Sequence, residues 1–183
     1  MATSLIFLLL ITLTFSTSTL TSAKSNTTTI ETTCKNTKYY KFCVSALKSD
    51  PRSPSADTKG LAAIMISVGM TNANATATYL AGNLTSTVKD TNTVLKNVFK
   101  DCSDKYALAA DSLRLTIQDL EEENFDYAYM HVLAAQDYPN VCRNVFRRVK
   151  GLAYPVEIRR REVSLRRICG VVSGILDRLV QLS

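Results

Sequence analysis

The only imidazole in the 183 residues is His131, within Tyr129-Met130-His131-Val132. Imidazole is the commonest general base, but this one sits on a predicted helix and is read as structural or surface-facing. The carboxylates Asp119, Glu121, Glu122, Glu123 and Asp126 crowd a short stretch. A pair of them would have the chemistry to cleave a glycosidic bond, yet a run of this kind is read as a solvated helix end. No GxSxG, no HExxH and no Gly-rich phosphate loop is present. No catalytic residue, metal site or cofactor is assigned, and the chain is not expected to be an enzyme.

The reactive sulfur lies in Cys34, Cys43, Cys102, Cys142 and Cys169. In an oxidising compartment five cysteines favour two bridges and one free thiol, and spacing alone leaves fifteen pairings open. Zinc is a poor alternative, with no CxxC and one histidine. On one straight helix the Cα atoms of Cys34 and Cys43 would stand about 13 Å apart, too far for a disulfide. A bridge between them therefore demands a reversal near Asn36-Thr37-Lys38, and residues 24–54 are read as a small helical hairpin projecting from the rest. Cys169 follows the apolar Ile168 and is read as a buried, inert thiol. Asn26, Asn74 and Asn83 open N-x-[ST] triplets, which become glycosylation sites if the chain is exported.

Export is expected. Residues 1–23 contain no charged side chain, Leu5 to Leu13 is apolar except for Thr12, and Thr21-Ser22-Ala23 suits signal peptidase. The apolar run is too short for a membrane span, which needs about 20 residues. The mature chain of residues 24–183 fits one domain, and no second apolar run calls for a membrane partner. Charge is unevenly spread: residues 101–142 carry a net −7 and residues 143–183 a net +7. With export, this alternation points away from nucleic acid and towards a sided surface meeting a protein. The run Arg143, Arg147, Arg148, Lys150, Arg159-Arg160-Arg161 and Arg166-Arg167 is either a solvated face or a dock for an acidic protein or a polyanionic wall polymer.

Helices must position these groups. Asn92 to Glu122 places Leu95, Val98, Cys102, Tyr106, Ala109, Leu113, Ile117 and Leu120 at steps of three and four, one stripe on a helix. Asp90-Thr91-Asn92 offers N-caps. The last segment repeats the pattern through Ile158, Leu165, Ile168, Val172, Ile175, Leu179 and Leu182, with Arg161 interrupting it and Pro155 suiting its first turn. Gly170 and Gly174 inside it suggest a neighbouring helix packed close. Two further helices are expected, from Asp57 to about Lys89 and from Phe125 to Phe146. Pro139 is expected to break or kink the second, with Asp137 capping the restart. Four amphipathic segments with short links predict an all-α, up-and-down four-helix bundle over residues 55–183.

Thr32-Thr33-Cys34-Lys35-Asn36-Thr37, Tyr40-Lys41-Phe42-Cys43 and Leu47-Lys48-Ser49-Asp50-Pro51-Arg52-Ser53 resemble the start of plant invertase and pectin methylesterase inhibitors. The likeness continues at Ala56-Asp57, at Asp101-Cys102 with Tyr106, and at Ala134-Ala135 with Cys142. Within that family, Ala134-Ala135-Gln136-Asp137-Tyr138-Pro139 and Gly151-Leu152-Ala153-Tyr154-Pro155 are most similar to the cell wall/vacuolar inhibitors of β-fructosidase. The resemblance implies a four-helix bundle with an N-terminal helical hairpin, and disulfides Cys34–Cys43 and Cys102–Cys142. It implies a secreted inhibitor of acid invertase, in the apoplast or vacuole, acting by occlusion in a one-to-one complex. In the inhibitor of cell-wall invertase a Pro-Lys-Phe turn enters the sugar cleft. The corresponding positions here are Phe125-Asp126-Tyr127, which differ at all three, and an Asp-Tyr pair at this place is found in pectin methylesterase inhibitors. Pectin methylesterase is therefore the alternative target. A secreted binder of pectin or of small ligands, with no enzyme target, is the alternative of another class.

Overall fold

Apolar side chains at steps of three and four wind into helices, and the described residues hold helices and turns only. The computed structural model describes residues 28–86 and 93–182. The expected leader at 1–23, the sequon at Asn26 and the expected caps Asp90, Thr91 and Asn92 lie outside those residues, as does the side chain of Asn83. Asn74 is exposed on its helix.

The elements are α1 (residues 28–34), α2 (Tyr40–Ser49), a 3-10 turn (Ser53–Ser55), α3 (Thr58–Ser86), α4 (Thr93–Glu121), α5 (Phe125–Arg148) and α6 (Val156–Val180). The helices α3 to α6 run up and down in a ring, in which α3 packs on α4 and α6, and α5 on α4 and α6. Asp57 caps α3 by accepting the Gly60 N–H at 2.7 Å, the side-chain capping geometry that satisfies an orphan donor. On α4 the stripe members Val98, Cys102, Tyr106, Ala109, Leu113 and Leu120 are buried. The disulfide Cys102–Cys142 joins α4 to α5 with Cα atoms 4.7 Å apart.

The hairpin of α1 and α2 does not project from the bundle. It is closed by Cys34–Cys43, with a Cα separation of 5.7 Å, and Ile30, Cys34, Cys43 and Leu47 join the common core. The turn between them rests on α6 where that helix has glycines. A Cβ on Gly174 would lie 3.0 Å from the Thr37 Cα and 3.3 Å from the Asn36 carbonyl oxygen. One on Gly170 would meet the Tyr39 ring at 3.0 Å. The neighbour that these glycines admit is thus a turn, not a helix. Thr37 is itself fastened, its hydroxyl and its N–H both donating to the Cys34 carbonyl at 2.8 and 2.9 Å.

Further expectations are corrected. Of the break or kink expected at Pro139, the break does not occur: the α5 helix continues through this residue, whose ring is buried. Proline forfeits one N–H and crowds the preceding turn; burial of its ring and the bridge three residues on hold the helix together. Asp137 caps nothing and instead accepts from Asn140 Nδ2 at 2.8 Å. Pro155 precedes α6 as its cap residue rather than standing in its first turn, and Leu182 is exposed. On α6 the stripe position between Ile158 and Leu165 belongs not to Arg161 but to Glu162, which is 2% exposed.

A carboxylate in the core is costly unless charged partners reach it. Glu162 Oε1 accepts from Arg166 at 2.9 Å and faces Arg143 at 3.4 Å. Asn140 Oδ1 accepts from both arginines, tying α5 to α6. The hydroxyls of Tyr106 and Tyr154 are buried beside this charge. Burial first, and then the nearby Glu162 carboxylate, pushes Tyr106 above the ordinary tyrosine range; Tyr154 is raised in the same direction by burial, Tyr106 and Glu162. Cys169 is fully buried and free, and burial pushes its thiol up to about 12.

Replacing Cys102 and Cys142 with serine is expected to cost about 3–4 kcal/mol, because the bridge closes a long loop, and the shorter Cys34–Cys43 loop about 2–3 kcal/mol. Urea unfolding gives the totals, and hydrogen exchange should show the second pair loosening the hairpin before the bundle. Glu162→Gln removes the charge but keeps the shape; a loss of about 1–3 kcal/mol is expected on thermal unfolding. Alkylation proceeds through the thiolate, so at pH 8 the native protein should take up no iodoacetamide. The denatured, unreduced chain should take up one equivalent, at Cys169.

Candidate functional site

The antiparallel ring gives the bundle two ends. One gathers the start of α3, the end of α4, the start of α5 and the end of α6; Lys59 Nζ marks it by donating to the Glu121 carbonyl oxygen at 3.2 Å and to Glu123 Oε1 at 3.1 Å. Here α4 stops in a tight reversal. The Asn124 N–H donates to the Asp119 carbonyl at 2.8 Å and the Glu123 N–H to the Leu120 carbonyl at 3.3 Å. This paired pattern places its residue after the cap in the left-handed region, where glycine is usual. Glu123 occupies it instead, at φ 62°, and its carboxylate pairs with Lys59 at 3.1 Å.

Phe125, Asp126 and Tyr127 follow at once. They form not a turn but the first turn of α5, because the reversal is completed by Glu122, Glu123 and Asn124. Phe125 is half-buried against the core, while Asp126 and Tyr127 are exposed, Tyr127 by 63%. Beneath them His131 Nδ1 meets Asp119 Oδ2 at 2.6 Å. The lone histidine thus pins α5 to α4 one helical turn after Tyr127.

The rest of the candidate site comes from α6. A groove of about 570 Å³ runs between Phe125, Asp126, Tyr129 and Met130 on one side and Leu176, Asp177, Val180 and Gln181 on the other. A hollow of about 330 Å³ continues it past Glu123, Asn124 and Tyr127 to Val180. Met130 and Val180 expose 65% and 51% of their surface there. The signal was present in the sequence: Asp177 and Gln181 are one helical turn apart and mark a polar face at the end of the α6 stripe.

Three of the five carboxylates in the acidic run are engaged by neighbouring side chains. Asp119 holds His131, Glu122 accepts from Asn124 Nδ2 at 2.9 Å, and Glu123 holds Lys59. Among the described residues no group of three or more His, Cys, Asp or Glu side chains could hold a metal ion, and no helix is long and apolar enough to cross a membrane.

The basic run divides. Arg143 and Arg166 serve Glu162, Arg161 lies 4.3 Å over the Tyr79 ring and bonds Glu157 at 3.0 Å, and Arg167 lies 5.7 Å from the Tyr39 and Phe42 rings. Arg147, Arg148, Lys150, Arg159 and Arg160 remain exposed, at the end of the bundle opposite Tyr127.

The comparisons with known proteins agree with this architecture. Two crystal structures of pectin methylesterase inhibitors from Arabidopsis share the fold. One, a mutant form A, superposes with a TM-score of 0.65 at 20% identity over 81% of this chain and 95% of the other; the second has a TM-score of 0.58. In sequence, the chain is 82% identical over 182 residues to the cell wall/vacuolar inhibitor of fructosidase 2 of Arabidopsis thaliana, covering 99% of this chain and all of the relative. It is 37% identical to pectinesterase inhibitor 28 of Oryza sativa subsp. japonica, over 82% of this chain and 68% of that one. With residues 28–174 matching the family pattern throughout, the chain belongs to the plant invertase/pectin methylesterase inhibitor family.

Proposed function

We propose that this chain is a non-enzymatic protein inhibitor of acid invertase, a β-fructofuranosidase, acting in the cell wall or vacuole. The observation that carries the reading is the 82% identity, over 99% of this chain and all of the relative, to a protein named as an inhibitor of fructosidase. The geometry supplies a means. A braced helix start offers one exposed aromatic ring, Tyr127, beside a half-buried Phe125 and an apolar groove. Aromatic anchors of this kind dominate tight interfaces once desolvated. The end of the bundle blocks the sugar cleft in a one-to-one complex, and the inhibitor needs no cofactor.

Pectin methylesterase is the second reading, favoured by the 37% identity to a rice pectinesterase inhibitor and by the Asp126-Tyr127 pair. Titrating the mature protein into each enzyme separates the two. Saturable loss of invertase activity at one equivalent, with pectin methylesterase untouched, is the expected result; the reverse result would replace the first reading by the second.

Asp126 sets an expected pH dependence. A retaining glycosidase carries two carboxyl groups in its cleft, and a third carboxylate brought close in a dry site is repelled. Acid relieves that repulsion by protonating one member, so inhibition should tighten from neutral towards mildly acid pH. Asp126→Asn should flatten the profile by tightening binding near neutrality. Tyr127→Ala should weaken it at every pH by about 1–3 kcal/mol if the ring is an anchor. Inhibition constants for the three proteins across that range are the measurement. A wild-type profile that does not move with pH would take Asp126 out of the cleft.

A further inference from the structure

The exposed cations at the other end are not explained by target inhibition. The contacts Arg143–Glu162 and Asn140–Arg166 set the register of α5 against α6. In that register Arg147 and Arg148 stand level with Arg159 and Arg160, and Lys150 lies in the connecting loop. All five are exposed. Among the described residues, the acidic side chains on the adjoining turns are partly committed: Glu157 bonds Arg161 at 3.0 Å and only approaches Arg160 at 3.9 Å, Asp104 is held by Lys100 at 2.7 Å, and Asp101 is exposed. Positive charge is therefore gathered at this end of the bundle, with Arg160 alone of the five in an ion pair among the described residues, a loose one to Glu157.

The character of the face selects the partner. Its exposed apolar side chains are aliphatic, Val94, Val156 and Val163; the strongly exposed aromatic rings among the described residues, Tyr40 and Tyr127, belong to the hairpin and to the start of α5. Shaped protein partners are gripped through Trp, Tyr and Arg side chains desolvated together in well-packed pockets. A group of exposed arginines with no strongly exposed aromatic ring beside them suits a flexible polyanion, because guanidinium forks match carboxylates in two-point contacts and need no fitted cavity. We propose that this end binds a linear polycarboxylate, a demethylesterified polygalacturonate being the matching polymer, while the Tyr127 end stays free for the target enzyme. The inhibitor would then be held on the acidic matrix in an orientation that presents its inhibitory end outward.

The test uses the mature, full-length protein on immobilised polygalacturonate and on the same polymer fully methylesterified, across a salt series. Wild type should be retained on the acidic polymer at low salt, released as screening shortens the reach of the charges, and not retained on the esterified one. Replacing Arg147, Arg148, Arg159 and Arg160 together by glutamine should weaken retention roughly ten-fold or more, as expected for four lost ion pairs, with invertase inhibition unchanged. Replacing Lys35, Lys38, Lys41 and Lys48 by glutamine removes the same charge from the hairpin and should change retention far less. Equal weakening by both variants would reduce the effect to net charge and overturn the proposal. So would absence of wild-type retention, equal retention on the esterified polymer, or loss of inhibition in the arginine variant. Retention on polyglutamate with none on polygalacturonate would overturn it in favour of an acidic protein surface.

Discussion

The bridge between Cys102 and Cys142 fixes α4 against α5, and much of what the molecule presents depends on that pairing. Two antiparallel helices free to slide would carry their connecting reversal with them. With the register locked near one end, the stripe of α4 meets α5 in a single alignment, and His131 reaches Asp119 near the other. The reversal at Glu122 to Asn124 then falls where Lys59 of α3 can hold it. A covalent constraint inside the bundle is thereby read out as the placement of Tyr127 on its surface. The second bridge plays a local part, closing the hairpin so that its turn fits the glycine face of α6.

The helices were legible in the sequence because their burial is periodic. Val98, Cys102, Tyr106 and Leu113 repeat with the helical period, and burial followed it. What was not legible was set by tertiary contact. Pro139 carries a strong local signal for a break, and that signal lost to packing around its buried ring. Glu162 reads as surface by residue type; only with Arg143 brought from α5, and Arg166 one turn along α6, does its burial become tolerable. Gly170 and Gly174 announced a close neighbour without saying that it was a turn. At the candidate site, the α5 residues are proposed from family likeness, while the α6 half of the groove needs the fold to bring Asp177 and Val180 across from Asp126.

The two ends of the bundle differ in chemistry as well as in charge. At the end that holds Tyr127, three of the five clustered carboxylates are tied to His131, Asn124 and Lys59, and they stiffen the reversal rather than repel one another. At the other end the arginines divide between a buried network under Glu162 and an exposed row. One composition bias thus does two jobs, cementing α5 to α6 inside and charging the surface outside.

Glu123 stands in a backbone conformation that most residues avoid. Holding a non-glycine residue there costs of the order of 1–3 kcal/mol, and glycine would remove that strain while restoring freedom to the chain. With glutamate the loop has fewer conformations to lose when a partner closes over it, and its ion pair with Lys59 narrows them further. Ordering costs that a supple loop incurs at the moment of association have here been met during folding. If the target docks here, a surface prepared in this way would do so largely as a rigid body. Differences in potency among proteins that share such a reversal should then reside in how slowly the complex comes apart, since encounter rates vary far less than lifetimes among related complexes.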